Sequence, residues 1–204
     1  MQNTKFIFVR HAESCKNLND ITGGTGAELT ENGIAQAYKL CKKISKIIND
    51  SDGEVISSSK IQAIMTGQII AKELGLKFSV TEKLIPASMG IIDGMSNEEI
   101  STSYPAIYEQ LRSWRNQEIE ACELVIEGME SPVLFWKRME NYLHSICDGG
   151  IKIVVCTRSI LVFLYNYIHG NTPLKGGGYK HTSFSNCDIL VFSINPFGKV
   201  CDWL

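Results

Sequence analysis

Long hydrophobic runs are absent from this sequence of 204 residues. No apolar stretch approaches the roughly 20 residues that a helix needs to cross a bilayer. The first five residues also lack the charged and apolar pattern of a secretory signal peptide. We therefore expect a cytoplasmic protein that has no membrane partner.

An excess of charge of one sign is also absent. The chain has 20 Lys and Arg residues against 22 Asp and Glu residues, so its formal net charge is -2. A chain with this balance produces no broad positive field that would attract nucleic acid or an anionic membrane. We expect no nucleic-acid partner.

The seven cysteines show no spacing typical of a metal site or a disulfide framework. The sequence contains neither a CxxC pair nor two histidines in His-x-x-x-His spacing. Scattered cysteines of this kind are usually reduced and buried, as small apolar side chains. We expect neither a metal nor another cofactor.

The apolar pattern alternates between strand and helix periods, which favours an α/β domain with a mostly parallel sheet. Apolar residues in 31–48 recur every three or four positions, which predicts an amphipathic helix. Expected helix caps are Ser58 or Ser59, and Ser159. Predicted strands cover residues 5–9, 54–57, 77–81 and 151–156, with a terminal hairpin or edge from 187–194 and 199–204. Predicted helices cover 31–48, 59–74, 131–146 and 159–168.

Residues 90–128 depart from this alternation. Residues 96–99 have the composition of a capping box, and a helical, aromatic-rich stretch follows them. The sequence contains no internal repeat and no low-complexity tract. We predict a single domain over residues 1–204, with a helical cap inserted around 90–128.

The strongest functional signal is the pair Arg10 and His11, directly after the first apolar strand. Open α/β sheets bind their ligands at the C-terminal ends of their strands. A guanidinium offers a planar fork of donors to phosphate or carboxylate oxygens, and an imidazole acts as nucleophile, acid or base near neutral pH. The pair predicts a site for an anion.

Further residues extend this pattern into a family signature. Asn17 follows shortly, and residues 29–37 read Leu-Thr-Glu-Asn-Gly-Ile-Ala-Gln-Ala at the start of a predicted helix. In this order the chain resembles the histidine phosphatase superfamily, also called the phosphoglycerate mutase-like family, although Ala12 stands where glycine is usual. The resemblance implies a three-layer α/β fold, in which helices cover both faces of a mostly parallel central sheet.

The resemblance also implies a mechanism. In that family a first histidine attacks phosphorus, two arginines and a second histidine hold the phosphoryl oxygens, and an acidic residue protonates the leaving group. His11 matches the nucleophile, Arg10 matches the first arginine, and Asn17 matches a side chain that contacts phosphate or substrate. The implied partner is a small phosphorylated or otherwise anionic molecule, handled without a metal.

Three further positions depart from the family pattern. Gln62 falls on the second arginine, Pro86 on the acid, and Thr157 on the second histidine. Gln62 and Thr157 retain donors that can bind an anion, whereas a proline side chain has no proton to donate. The aligned segments are residues 57–67, 84–94 and 154–157.

Two hypotheses follow from these departures. In the first, the protein is a phosphomonoester hydrolase with altered chemistry, in which Arg158 and His181 supply the missing charge. In the second, it is a catalytically impaired pseudoenzyme that binds an anionic ligand or a partner protein. A phosphoglycerate mutase proper is disfavoured, because the chain is short and lacks the matching arginine and acid. The residues considered as replacements for the acid are Glu13, Glu82, Asp93 and His181.

Overall fold

The computed structural model describes residues 3–49 and 51–203, and it confirms the α/β class. The described strands form a six-stranded sheet in the order β3-β2-β4-β1-β5-β6. The first four strands in the chain pair in parallel, whereas β5 runs antiparallel to both β1 and β6. The strands are β1 (Thr4–Arg10), β2 (Gly53–Ser58), β3 (Lys77–Thr81), β4 (Gly150–Cys156), β5 (Ile189–Ile194) and β6 (Val200–Trp203).

The described residues also form seven α-helices, which lie between the strands along the chain. Short 3-10 turns occur at Glu82–Leu84, Gly90–Ile92 and Ala121–Glu123. The helices are α1 (Cys15–Leu18), α2 (Glu31–Ile48), α3 (Ile61–Leu74), α4 (Asn97–Ser103), α5 (Pro105–Arg115), α6 (Pro132–Ser145) and α7 (Arg158–Ile168).

The alternation of side chains along β1 explains the three layers. Phe6 and Phe8 pack with residues of α6 and α7 on one face of the sheet. Ile7 and Val9 pack with residues of α2 and α3 on the other face. Successive strand residues point to opposite faces, so a strand that is apolar on both must be central. β1 therefore lies inside the molecule and ends at the edge of the sheet where ligands bind.

Several helix starts differ from the sequence prediction. Ser58 belongs to β2, and the residue that precedes α3 is Lys60, which makes no side-chain cap. Thr157, not Ser159, precedes α7, and its side chain does not cap the helix either. The serines form other contacts: Ser58 Oγ accepts from the Lys60 N–H, and Ser159 Oγ pairs with Thr157 Oγ1.

The segment 90–128 has a small core of its own. Ile100 on α4 and Leu111 on α5 are buried together with Ile92 and Ile126. The capping box forms: Ser96 accepts from the Glu99 N–H at 3.2 Å, and Glu99 accepts from the Ser96 N–H at 2.7 Å. An antiparallel bridge between residues 89 and 129 joins the two ends of the segment.

The predicted terminal hairpin forms, with β5 and β6 antiparallel, but its first strand begins later than predicted. Residues 187 and 188 precede β5 and are not in a strand, because Cys187 has a left-handed backbone with φ +64°. Leu204, in the predicted last strand, lies outside the described residues. Among the described helices, none is long and apolar enough to span a bilayer.

Candidate active site

Arg10 and His11 lie at the C-terminal edge of the sheet, where β1 ends beside β4. Arg10 pairs with Cys156 in the parallel register of the two strands. The His11 N–H donates to the Cys156 carbonyl at 3.0 Å. Thr157 follows Cys156 directly, so the strand ends bring His11 and Thr157 to the same level of the sheet.

Hydrogen bonding and burial fix the chemical state of the His11 ring. The residue is 3% exposed, and its Nδ1 lies 2.8 Å from the Ala12 carbonyl oxygen. A carbonyl only accepts, so Nδ1 carries the proton and Nε2 carries the lone pair. Burial lowers the pKa of His11 to about 4, and the charges of Arg10 and Lys16 act in the same direction. The ring is therefore neutral at pH 7, with Nε2 available as a nucleophile.

The Arg10 guanidinium is half-buried beside this ring. Its Nη1 donates to the Phe184 carbonyl, while its buried Nε has no partner among the described residues. Burial and the charge of Arg158 lower the pKa of Arg10 to about 10, so it remains a cation at pH 7. A partly buried cation with an unmet donor favours an anion nearby.

Asn17 is held in place by its amide oxygen. That oxygen accepts from the Ser14 N–H and hydroxyl, both at 3.0 Å, and from Asn186 Nδ2 at 3.1 Å. Asn186 Nδ2 also donates to the His11 carbonyl at 2.9 Å. Asn17 therefore belongs to the network around His11, and its own Nδ2 is the group free to meet a ligand. Sequence reasoning missed Asn186, which reaches the site from a distant loop.

Gln62 lies in the first turn of α3, with 4% of its surface exposed. Its Oε1 accepts from the Ala27 N–H at 3.3 Å. Its carbonyl accepts from Thr66 Oγ1 at 2.7 Å, and Thr66 Oγ1 accepts from the Ala12 N–H at 3.1 Å. The Thr66 side chain thus connects Gln62 to Ala12, the residue after His11.

Arg158 and His181 form a second group of basic side chains with Arg115 of α5. Arg158 is the first residue of α7 and is exposed to solvent. Its partial burial and the charge of Arg115 lower its pKa. The His181 ring lies 5.0 Å from the Trp114 ring, edge to face. Burial and the charges of Arg158 and Arg115 lower the pKa of His181. The charge of Arg158 also lowers the pKa of Arg10, so this group of basic side chains adjoins the predicted site.

Lys16 and Lys60 are basic residues that sequence reasoning missed. Lys60 Nζ donates to the Gly24 carbonyl at 2.7 Å. Burial and the charge of Lys60 lower the pKa of Lys16, while Asp93 opposes this shift. The only sequence signal for Lys16 was its nearness to His11 along the chain.

The starts of α3 and α7 add further donors at this edge. Neither helix has a side-chain cap, so the first N–H groups are not covered by their N-cap residues. Uncapped helix starts carry partial positive charge and bind anions. α7 follows β4, which pairs with β1, and α3 follows β2, the next strand along, so both helices begin at the same edge of the sheet as His11.

The carboxylates considered as replacement acids differ in their contacts. Glu13 accepts from Thr30 Oγ1 at 2.6 Å, and Glu82 accepts from Ser59 Oγ at 3.0 Å. Asp93 accepts from Ser88 Oγ at 3.0 Å, and its charge acts on Lys16. Of these three carboxylates, Asp93 is the one whose charge affects the pKa of Lys16. No three His, Cys, Asp or Glu side chains of the described residues are grouped as metal ligands.

A separate groove lies away from this edge. It encloses about 520 Å³ and is lined by Pro86, Arg138 and Tyr142, among others, but not by Arg10 or His11. Arg138 is already paired there with Glu130, at 2.6 and 2.8 Å, and also donates to the Pro86 carbonyl at 3.3 Å. The lining also contains Lys83 and Glu82, so its acidic and basic side chains balance, and the groove is a weaker candidate for anion binding than the edge at His11.

The chain is similar in sequence to known proteins. The chain is 30% identical over 144 residues to phosphoserine phosphatase 1 of Hydrogenobacter thermophilus, a match covering 70% of this chain and only 64% of that relative. It is 32% identical over 168 residues to 2,3-bisphosphoglycerate-dependent phosphoglycerate mutase 2 of Lactobacillus johnsonii, covering 80% of this chain and 70% of the relative.

A solved structure shows the same fold over nearly the whole chain. Phosphoserine phosphatase from Entamoeba histolytica, in complex with 3-phosphoglyceric acid, superposes with a TM-score of 0.73 at 22% identity, covering 98% of this chain and 96% of that one. The sequence model of the histidine phosphatase superfamily (branch 1) matches residues 6–204. On this evidence the chain belongs to the histidine phosphatase superfamily.

Proposed function

We propose that the protein hydrolyses the phosphate monoester of a small metabolite through a phosphohistidine at His11. The observation that carries this proposal is the state of the His11 ring. The ring is buried and neutral, and its Nδ1–H donates a hydrogen bond to the Ala12 carbonyl. Nε2 then has no proton to lose before it attacks. The adjacent Arg10 supplies a positive charge for the phosphoryl oxygens.

The reaction has two displacements at phosphorus. In the first, the Nε2 lone pair bonds to phosphorus while the bond from phosphorus to the ester oxygen breaks, and the leaving oxygen takes a proton from water. In the second, water attacks the phosphohistidine, the N–P bond breaks, and phosphate leaves with His11 restored. Arg10, Asn17 and Thr157 are proposed to hold the oxygens in both steps, because phosphoryl transfer depends mainly on positioning and charge stabilisation.

Arg158 and His181 are proposed to extend this positive surface toward the rest of the substrate. His181 lies in the loop between α7 and β5, and its contact with Trp114 joins this loop to α5. Arg158 and His181 therefore lie between the sheet edge and segment 90–128. We infer that segment 90–128 acts as a cap and that Gln62 lends its amide donor to the phosphoryl oxygens.

The seven free thiols suit a reducing compartment, and we propose a cytoplasmic location.

The replacement of the acid predicts slow turnover with a marked substrate dependence. Pro86 donates no proton, and loss of a general acid costs about 10²- to 10⁴-fold in rate. Aryl phosphates, whose leaving groups are weakly basic, need less protonation than alkyl phosphates. We expect hydrolysis rates to fall steeply with rising leaving-group pKa, and Pro86→Glu to flatten that dependence.

A trapping experiment tests the function directly. The protein is mixed with an aryl phosphate, quenched in base, where phosphohistidine survives, and its peptides are weighed by mass spectrometry. We expect a phosphoryl adduct on the His11 peptide, absent in His11→Gln. Binding of inorganic phosphate without any adduct would support instead the pseudoenzyme reading, which the neutral Gln62 and Thr157 and the missing acid favour.

A further inference from the structure

Two lysine side chains meet at the start of α3. Lys60 Nζ donates to the Gly24 carbonyl at 2.7 Å. Lys16 Nζ lies 3.6 Å from the position that a Cβ on the same Gly24 would occupy. Both side chains are half-buried. One glycine thus has an ammonium group on either side, an arrangement that mutual repulsion opposes.

The pair lies beside the start of α3. Gln62 Oε1 lies 2.6 Å from the position of a Cβ on Gly26, which places segment 23–26 along the first turn of α3. That helix has fourteen residues and no side-chain cap, so its start is electropositive. The carboxylate at this place is Asp93, whose Oδ1 lies 1.6 Å from the position of a Cβ on Gly23.

The same pair is linked to the nucleophile. Lys16 lies on α1, which follows His11 after three residues. Its charge lowers the pKa of His11, so the two groups share one electrostatic environment. The positive charges of Lys16, Lys60 and Arg10 exceed the negative charges of Asp93 and Asp188, the carboxylates that act on them. A concentration of like charge near a nucleophile is typical of a site that an anionic ligand completes.

We propose that Lys16 and Lys60 bind oxygens of the phosphoryl group that His11 attacks. The proposal rests on the proposed function and adds two residues to its site. It also explains how the site tolerates Gln62, since a neutral amide supplies a hydrogen bond but no charge. A phosphate dianion facing Arg10 alone would keep uncompensated charge, whereas two ammonium groups make charge-assisted hydrogen bonds with it.

Calorimetric titration with inorganic phosphate at fixed ionic strength tests the pair. The variants are Lys16→Met, Lys60→Met and the double variant, with Lys39→Met as a matched control on the exposed face of α2. We expect each single variant at the pair to raise the Kd for phosphate by about tenfold or more, because hydrogen bonds to charged groups contribute that much. Lys39→Met carries the same loss of net charge and should bind as the parent does.

Two further variants separate charge from structure. Lys16→Arg keeps the charge and should keep phosphate affinity within a few-fold of the parent, and circular dichroism checks that every variant is folded. Because Lys60 also holds Gly24, the variants at Lys16 are the decisive ones, since they leave this contact intact. Lys16→Gln keeps a neutral donor but no charge, and it should bind phosphate more weakly than Lys16→Arg.

The outcomes distinguish this proposal from the proposed function. If the parent binds phosphate and the folded Met variants bind it equally well, the lysine pair is not part of the site, although the function stands. If Lys39→Met weakens binding as much as they do, net charge alone explains the effect and the proposal fails. If the parent itself binds no phosphate at millimolar concentration, the proposal and the function fail together.

Discussion

At the scale of single residues, burial of His11 makes stability depend on pH. The folded pKa is lowered to about 4, below the ordinary value of 6.5 for the unfolded chain. Between these values the unfolded chain takes up a proton that the folded protein refuses. Stability is therefore full above about pH 6.5 and falls as the pH drops toward 4, by about 3 kcal/mol for this one group.

Urea unfolding at a series of pH values between 4 and 7.5 measures this contribution. We expect His11→Gln to show a shallower loss of stability with falling pH than the parent, because glutamine does not titrate. Parallel curves for the two proteins would mean that the His11 ring titrates normally and is not buried as the structure places it.

The sequence made some residues of the site predictable and not others. Arg10 and His11 could be assigned because an apolar strand leads directly to them. Lys16 and Asn186 could not, since their roles depend on turns that bring them back to His11 and not on a local pattern. Gln62 was found by its alignment, but its bond to the Ala27 N–H depends on a loop whose path no periodicity describes.

At the scale of elements, the helix starts were the least predictable feature. A serine before an apolar run usually caps a helix. Here Ser58 is the last residue of β2, and Lys60 and Thr157 occupy the cap positions without capping. Caps that bind helix N–H groups would compete with an anion for the same donors. The mispredicted caps therefore coincide with the edge proposed to bind phosphate.

The start of α2 depends on a close approach that only glycine allows. A Cβ on Gly33 would lie 2.0 Å from the Glu13 carbonyl oxygen, a backbone atom of the segment after His11. On Gly67 of α3 a Cβ would meet the Phe78 ring at 2.7 Å, and a ring edge can move aside. We expect Gly33→Ala to cost about 3 kcal/mol in unfolding free energy and Gly67→Ala clearly less, as chemical denaturation would show. A smaller loss for Gly33→Ala than for Gly67→Ala would contradict this packing.

The loop that carries His181 depends on one buried amide of α7. Asn166 is fully buried, accepts from the Lys180 N–H at 2.8 Å and donates to the Lys180 carbonyl at 2.9 Å. We expect Asn166→Leu to speed hydrogen exchange at residues 179–181 and to cost about 1 to 3 kcal/mol. Asn171→Ala, which removes only one neighbour of Asn166, should change both quantities less. Unchanged exchange in Asn166→Leu would show that the loop is held by other contacts.

At the scale of the whole molecule, the layers and the terminal hairpin of β5 and β6 were predictable, whereas the pairing of β5 with β1 was not. Alternation in β1 with apolar residues on both faces requires helices on each side, so the central sheet followed from local pattern. The antiparallel placement of β5 beside β1 depends on the left-handed turn at Cys187, which is not a residue that favours such a turn. The position of segment 90–128 against the loop at His181 depends likewise on long-range contacts.

An anion that binds only the folded protein must raise the stability of the whole molecule. At a phosphate concentration of 100 times the Kd, the gain is about 2.7 kcal/mol, which corresponds to about 5 to 10 °C in Tm for a domain of this length. We expect scanning calorimetry to show this rise for the parent in phosphate, relative to chloride at equal ionic strength. Arg10→Ala should lose most of the rise, whereas Lys39→Met, remote on α2, should keep it. Equal rises for the parent and Arg10→Ala would place the bound anion elsewhere and remove the physical basis for assigning the reaction to His11.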